Sequence, residues 1–190
     1  LPDDEMEISI AAGSHESLIP VLGEIKAHPE EKVGLIMTLI SPSYTNLGNP
    51  PNWDTCTRDV FDESCVFNEE ELLKITKSIA SVCSQLHTKG INHGDLYSHN
   101  ILINKSAESI LGDFGAASVY DVNSEIAPAI ERIEVRAFGC LVEDVLSVVT
   151  KDEVNNKHYN KWQNLITDCT TSDVQSRPSF SEIIVRLNKF

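Results

Sequence analysis

Apolar residues recur at helical spacing in five stretches of the chain. The first, EMEISIAAGSH at 5–15, predicts the end of a helix that stops at Gly13. The second is a stripe of Leu72, Ile75, Ile79, Val82, Cys83 and Leu86, preceded by Asn68 and Glu71 at capping-box spacing, and its helix is expected to end at Gly90. A third stripe, from Ile133 through Phe138, Leu141, Val142, Val145 and Leu146 to Val149, predicts a helix over roughly 131–149. A fourth spans about 158–169 around Trp162, Leu165 and Ile166. The last starts at the Ser179/Glu182 capping box and buries Phe180, Ile183, Ile184 and Leu187. Between these, LIPVLGEI and KVGLIMTLI read as two short strands joined by the polar turn KAHPEE, and INHGDLYSHNILI and SILGDFG as two brief strands flanking a polar loop. Residues 41–67 carry Pro, Gly, Asn and Asp without periodicity and predict a long loop or insertion, of a length that is often functional.

Composition narrows the class. With 190 residues, 41% hydrophobic and 23% charged, the chain can bury a core without disulfides or a structural metal. A net charge of −14 leaves little basic surface for nucleic acid, so that partner is not expected. The five cysteines, Cys56, Cys65, Cys83, Cys140 and Cys169, are odd in number and form no CxxC pair, so they are read as reduced thiols rather than a disulfide framework or a zinc site. No apolar run is long enough to span a bilayer, and LPDDEMEIS is acidic where a signal peptide would be basic and then apolar; a cytoplasmic location without a membrane segment is expected.

Chemistry concentrates between residues 93 and 115. His93-Gly94-Asp95 lies in a polar loop, Asn100 follows five residues after Asp95, and Asp113-Phe114-Gly115 follows a short apolar strand. Phosphoryl transfer to a hydroxyl needs a carboxylate that orients the nucleophile and takes its proton, together with oxygen ligands for magnesium. Asp95 suits the first role, Asn100 and Asp113 the second. Either motif alone arises by chance; HxDLxxxNIL with DFG at this distance behind a long amphipathic helix is specific. His99 has no companion ligands at metal-binding spacing and is expected to be structural, and His93 to order its loop.

In these motifs the sequence resembles the eukaryotic-type protein kinase family. EVRAFGCLVEDVL is similar to the central helix of that family's C-terminal lobe, usually DVWSFG, and RPSFSEII to its closing motif. The resemblance implies an α+β, protein-kinase-like fold: residues 1–40 as a remnant of the β-rich N-lobe, 41–67 as the loop after the hinge, and 68–190 as a mainly helical C-lobe. It implies ATP and Mg2+ as cofactors and a protein as substrate, with a serine or threonine acceptor expected ahead of tyrosine. Met37 is expected as gatekeeper, the backbone of Thr38, Leu39 and Ile40 to meet adenine, and Glu5, with Glu7 as the alternative, to be the regulatory-helix glutamate.

The departures are as informative. Gly94 replaces the arginine of the usual HRD, so phosphorylation of the activation segment is not expected to act as a switch. Tyr97 stands where serine/threonine kinases usually carry lysine. The segment from Asp113 to Glu134 is short, APA at 127–129 stands in place of APE, and Arg177 is expected to pair with Glu131 instead. TRDVF at 57–61, near the cleft mouth, is expected to be a solvated loop, with contact to substrate as the alternative. No glycine-rich loop or strand lysine is present, the first lysine being Lys26, so the chain reads as a kinase lacking most of its small lobe. Two alternatives stay open: a small-molecule phosphotransferase of the aminoglycoside or choline kinase type, and a pseudokinase that binds without turnover.

Overall fold

The computed structural model describes residues 2–30, 32–150 and 156–190. Helix α1, Pro2–Ala12, ends where Gly13 adopts φ +69°, the left-handed conformation that glycine accepts without a Cβ penalty. Its last carbonyls are satisfied from a distance. Lys89 Nζ donates to the Ala11 and Ala12 oxygens, and Gln85 Nε2 donates to those of Ala12 and Ser14, so the helix end is anchored to residues 85 and 89. Strands β1, Val21–Glu24, and β2, Leu35–Met37, form the expected antiparallel hairpin; Glu31 of its turn lies outside the described residues.

Helix α2, Glu69–Thr88, starts at the Asn68/Glu71 capping box, with three glutamates in its positive first turn. It buries Leu72, Ile75, Ile79, Val82, Cys83 and Leu86 against the last helix, α5, Phe180–Leu187, which begins at its own Ser179/Glu182 box. Helix α3, Ala127–Ser147, packs on α4, Asn156–Thr170, in which Trp162 is fully buried. The α3 start lies four residues earlier than periodicity predicts. Pro128 sits in the first turn, where its missing N–H costs nothing and its fixed φ suits the helix, so APA is a helix start rather than a separate motif.

Small strands carry the loops. β3, Thr45–Asn46, pairs with β5, Ile101–Ile103, which pairs with β6, Ser109–Leu111, all antiparallel. β4, Ile91–Asn92, pairs with β7, Ser118–Val119. Residues 41–67 are not a free loop: they fold back on the C-lobe, with the Leu47 amide bonded to the Ile101 oxygen and the Gly48 amide to the Ser98 oxygen. All five cysteines are free thiols; burial raises the pKa of Cys83 and pushes that of Cys169 up to about 12, so neither is primed to react. No helix among the described residues is long and apolar enough to cross a membrane.

Candidate active site

The β4 strand delivers His93, Gly94 and Asp95 into the loop, and a single 3-10 turn, Ser98–Asn100, brings the chain back into β5. That turn places Asn100 against Asp95. Its Nδ2 donates both to the Asp95 carbonyl and to Asp95 Oδ2, each at 2.9 Å, so the amide fixes the carboxylate's orientation and leaves Asn100 Oδ1 open as an oxygen ligand. β6 runs antiparallel to β5 and ends at Leu111, beside Ile101, so the chain leaves the sheet next to the same turn. The Gly112 amide donates to the Asn100 carbonyl, 3.0 Å, and the Gly112 carbonyl accepts from His93 Nε2, 2.8 Å. Asp113 follows at φ +58° and is exposed; its Oδ1 caps the Gly115 amide. A left-handed aspartate is a sparsely populated conformation, tolerated here because both flanks are held: His93 and Asn100 grip Gly112, and Phe114 is buried against His93 with ring centroids 5.2 Å apart.

His93 is completely buried, with Nε2–H bonded to Gly112 and Nδ1 facing the Asp95 amide at 3.4 Å. It orders the loop, as expected of it. Below the loop lies a residue that the sequence reading passed over. Glu134, buried on α3, accepts from the Gly94 amide through Oε1 at 2.9 Å and meets His87 Nε2 through Oε2 at 2.7 Å. One buried carboxylate thus ties the catalytic-loop backbone to α2 and α3. A signal was available, since Glu134 stands four and seven residues before Phe138 and Leu141, on the face that α3 buries.

The segment after DFG is held by Tyr120. Its hydroxyl donates to the His87 carbonyl and to Glu131 Oε1, and its amide to the Gly90 carbonyl. Burial and the two nearby glutamates raise the phenol's pKa well above its ordinary value, so it stays a neutral donor. Glu131 is therefore committed to Tyr120, which corrects the expected Arg177 pairing. Arg177 is buried, but its Nε donates to the Thr171 carbonyl and Nη1 to that of Arg132, both at 2.9 Å. The 57–61 segment is a second correction. Asp59 is buried and accepts from the His99 amide and from Nδ1 of the His99 ring at 2.8 Å, while Arg58 pairs with Glu143 and Asp144 of α3. Burial raises the pKa of Asp144 despite that arginine. TRDVF is a strut beneath the catalytic loop, and His99, stacked on Tyr97, is structural, as its lack of companion ligands predicts.

A cavity of about 330 Å³ lies between α1, the β1–β2 hairpin and the DFG segment, where Glu5, Met37 and Asp113 share its wall. Thr38, Leu39 and Ile40 lie outside that wall. The Thr38 amide donates to the Pro20 carbonyl at 3.0 Å, and the Leu39 side chain is 94% exposed. No lysine or arginine lines the cavity among the described residues.

Comparison with known proteins agrees with this geometry. The family model described as the protein kinase domain matches residues 6–134, more than half of the chain. The chain belongs to the protein kinase family. It is 26% identical over 166 residues to a probable serine/threonine-protein kinase of Dictyostelium discoideum, covering 66% of this chain and 28% of that protein. A probable myosin light chain kinase of the same organism is 43% identical over 113 residues, 59% of this chain and 21% of that one. Serine/threonine-protein kinase Nek9 of Xenopus laevis is 23% identical over 186 residues, covering 78% of this chain and 19% of its own length. The chain thus spans less than a third of each of these relatives. The α+β kinase fold expected from the sequence is the fold found.

Proposed function

We propose that this chain carries the phosphoryl-transfer centre of a protein kinase, with Asp95 as the base for a protein hydroxyl and Asn100 and Asp113 as the magnesium ligands. The single observation that carries this reading is the paired hydrogen bond from Asn100 to Asp95. It turns the carboxylate into a fixed acceptor and leaves the amide oxygen for a hard cation. Asp113 keeps Oδ2 unbonded and solvent-facing. One carboxylate and one amide oxygen, with no cluster of three or more histidine, cysteine or carboxylate ligands among the described residues, suit Mg2+, which takes few protein ligands and completes its shell with water and phosphate. When bound, magnesium-ATP supplies the phosphoryl group and the charge neutralisation that this family's chemistry needs.

Within this reading Met37 borders the base-binding end of the cleft. Leu39 and Ile40, whose amides make no backbone hydrogen bond among the described residues, offer donors to adenine, and the Thr38 carbonyl an acceptor. Glu5 is the carboxylate that would hold a phosphate-binding lysine. A serine or threonine acceptor is the preferred choice, in keeping with the names of the relatives.

The absence of a basic residue from the cavity wall favours a second reading, a binding module without turnover. Phosphate transfer to protein acceptors over a magnesium series separates the two. The kinase reading expects transfer by the wild-type protein and, for the exposed Asp113→Asn variant, a loss on the order of a hundredfold or more with a raised magnesium requirement. Transfer with an unchanged magnesium profile in that variant overturns the metal assignment, and no transfer by the folded wild-type protein leaves the binding module.

A further inference from the structure

A second cavity, about 760 Å³, is bounded by Gly94, Leu96, Tyr97 and Ser98 of the 93–100 loop, by the 57–59 strut and by α3. Asp95 is flanked on both sides by residues that line it. Only residues 116–126 separate DFG from α3. The volume is that of a site for a ligand, not of a packing defect.

Three observations define what it would accept. Ser98 is 1% exposed, and its Oγ has no hydrogen-bond partner among the described residues, a state that is unfavourable unless a ligand or water satisfies it. Leu96, Ile133, Ala137 and Leu141 give the cavity apolar walls, and Ile133 is 64% exposed there. The charges are already spoken for, with one exception. Arg58 is matched by Glu143 and Asp144, Asp59 by His99, and the donors of Arg177 by backbone carbonyls. Arg136 is exposed on the rim and makes no hydrogen bond or ion pair among the described residues. An uncommitted guanidinium and an unsatisfied hydroxyl lining one cavity, in a chain whose net charge is −14, select an anionic group that can take a bidentate contact.

We propose that this cavity seats the acceptor segment of the substrate and that Arg136 selects an aspartate or glutamate beside the acceptor hydroxyl. The inference rests on the kinase reading, because that reading makes Asp95 the residue the hydroxyl must reach. Ser98 Oγ then bonds a backbone group of the bound segment, while the apolar walls take its flanking side chains.

Labelled serine peptides with glutamate on either side of the hydroxyl, and matched glutamine peptides, test this by fluorescence anisotropy with the full chain and no nucleotide. The glutamate set is expected to bind about tenfold more tightly, as one charge-assisted pair would give. Arg136→Gln is expected to bring the glutamate set to the glutamine level and leave the glutamine set unchanged; Ser98→Ala is expected to weaken both. Equal binding of the two sets, no binding of either, or a preference untouched by Arg136→Gln overturns the site. The preference should persist in Asp95→Asn, so a protein that keeps it but transfers no phosphate loses the kinase reading alone, whereas transfer without any preference loses this site alone.

Discussion

At position 94 a side chain has nowhere to go. Gly94 adopts φ +79°, and a Cβ built there would stand 2.5 Å from the Ala116 carbonyl oxygen, a backbone atom that cannot swing aside. Gly90 is under the same constraint, with the Tyr120 oxygen 2.3 Å from its would-be Cβ. The two glycines let the short segment after DFG lie directly on the catalytic loop, and the arginine usual at position 94 is excluded by that approach rather than merely absent. Gly94→Ala is expected to cost about 1–3 kcal/mol in denaturant unfolding. Gly23→Ala, with no atom within 4 Å of the new Cβ, is expected to stay within about 0.5 kcal/mol. Equal effects of the two substitutions would contradict the packing account. In the sequence Gly94 reads as a missing arginine, since nothing in a linear pattern reports that Ala116 passes overhead. Asp95, Asn100 and Asp113 were singled out by their fixed local spacing, and the structure brings Asn100 within hydrogen-bonding distance of Asp95. Glu131 was assigned to Arg177 because pairing opposite charges is the natural guess when carbonyl partners such as those of Thr171 and Arg132 cannot be foreseen.

Among the elements, the link from α1 to β1 is tied to β6, the strand that leads into DFG. The Ser17 carbonyl accepts from the Leu111 amide, and His15 fixes that link by accepting the Ser17 amide on Nδ1 and bonding Ser81 of α2 through Nε2. Burial lowers the pKa of His15 below its ordinary 6.5, with Glu16 opposing the shift. A histidine depressed in the folded state binds fewer protons there than when unfolded. Its contribution is therefore complete above about pH 6.5 and is lost as the pH falls through the lower folded value. Protonation also removes the Nδ1 acceptor that Ser17 uses. His15→Gln is expected to flatten the decline in melting temperature between pH 7 and 5, and an unchanged slope would show that other groups carry it. The helices themselves were readable because capping boxes and apolar periodicity are local signals, as at Asn68/Glu71 and Ser179/Glu182. The docking of residues 41–67 was not, because its contacts pair Asp59 with His99 and Arg58 with Glu143 and Asp144, each far apart in sequence.

Across the whole molecule, α2, α3, α4 and α5 share one large hydrophobic core, to which Leu96 of the 93–100 loop belongs. One cavity is walled by Leu111 to Phe114 and a second by Gly94, Leu96, Tyr97 and Ser98. The one beside Met37 and Asp113 belongs to the nucleotide side of the proposed reaction, and the one beside Arg136 and Ser98 to the acceptor side. Asp95 lies between the two functions, and Glu134 beneath holds the loop's backbone to the core. Membership of the kinase family was readable from the 93–115 motifs; the acceptor-side cavity was not, because it exists only once the strut, the loop and α3 have come together. Asp95 is also where the account is most exposed. Phosphate transfer from magnesium-ATP to a protein acceptor, compared between the wild-type protein and Asp95→Asn with matched melting temperatures, tests it directly. The account predicts transfer by the wild type and a loss of about three powers of ten or more in the variant, whereas a folded Asp95→Asn protein with undiminished transfer would contradict it.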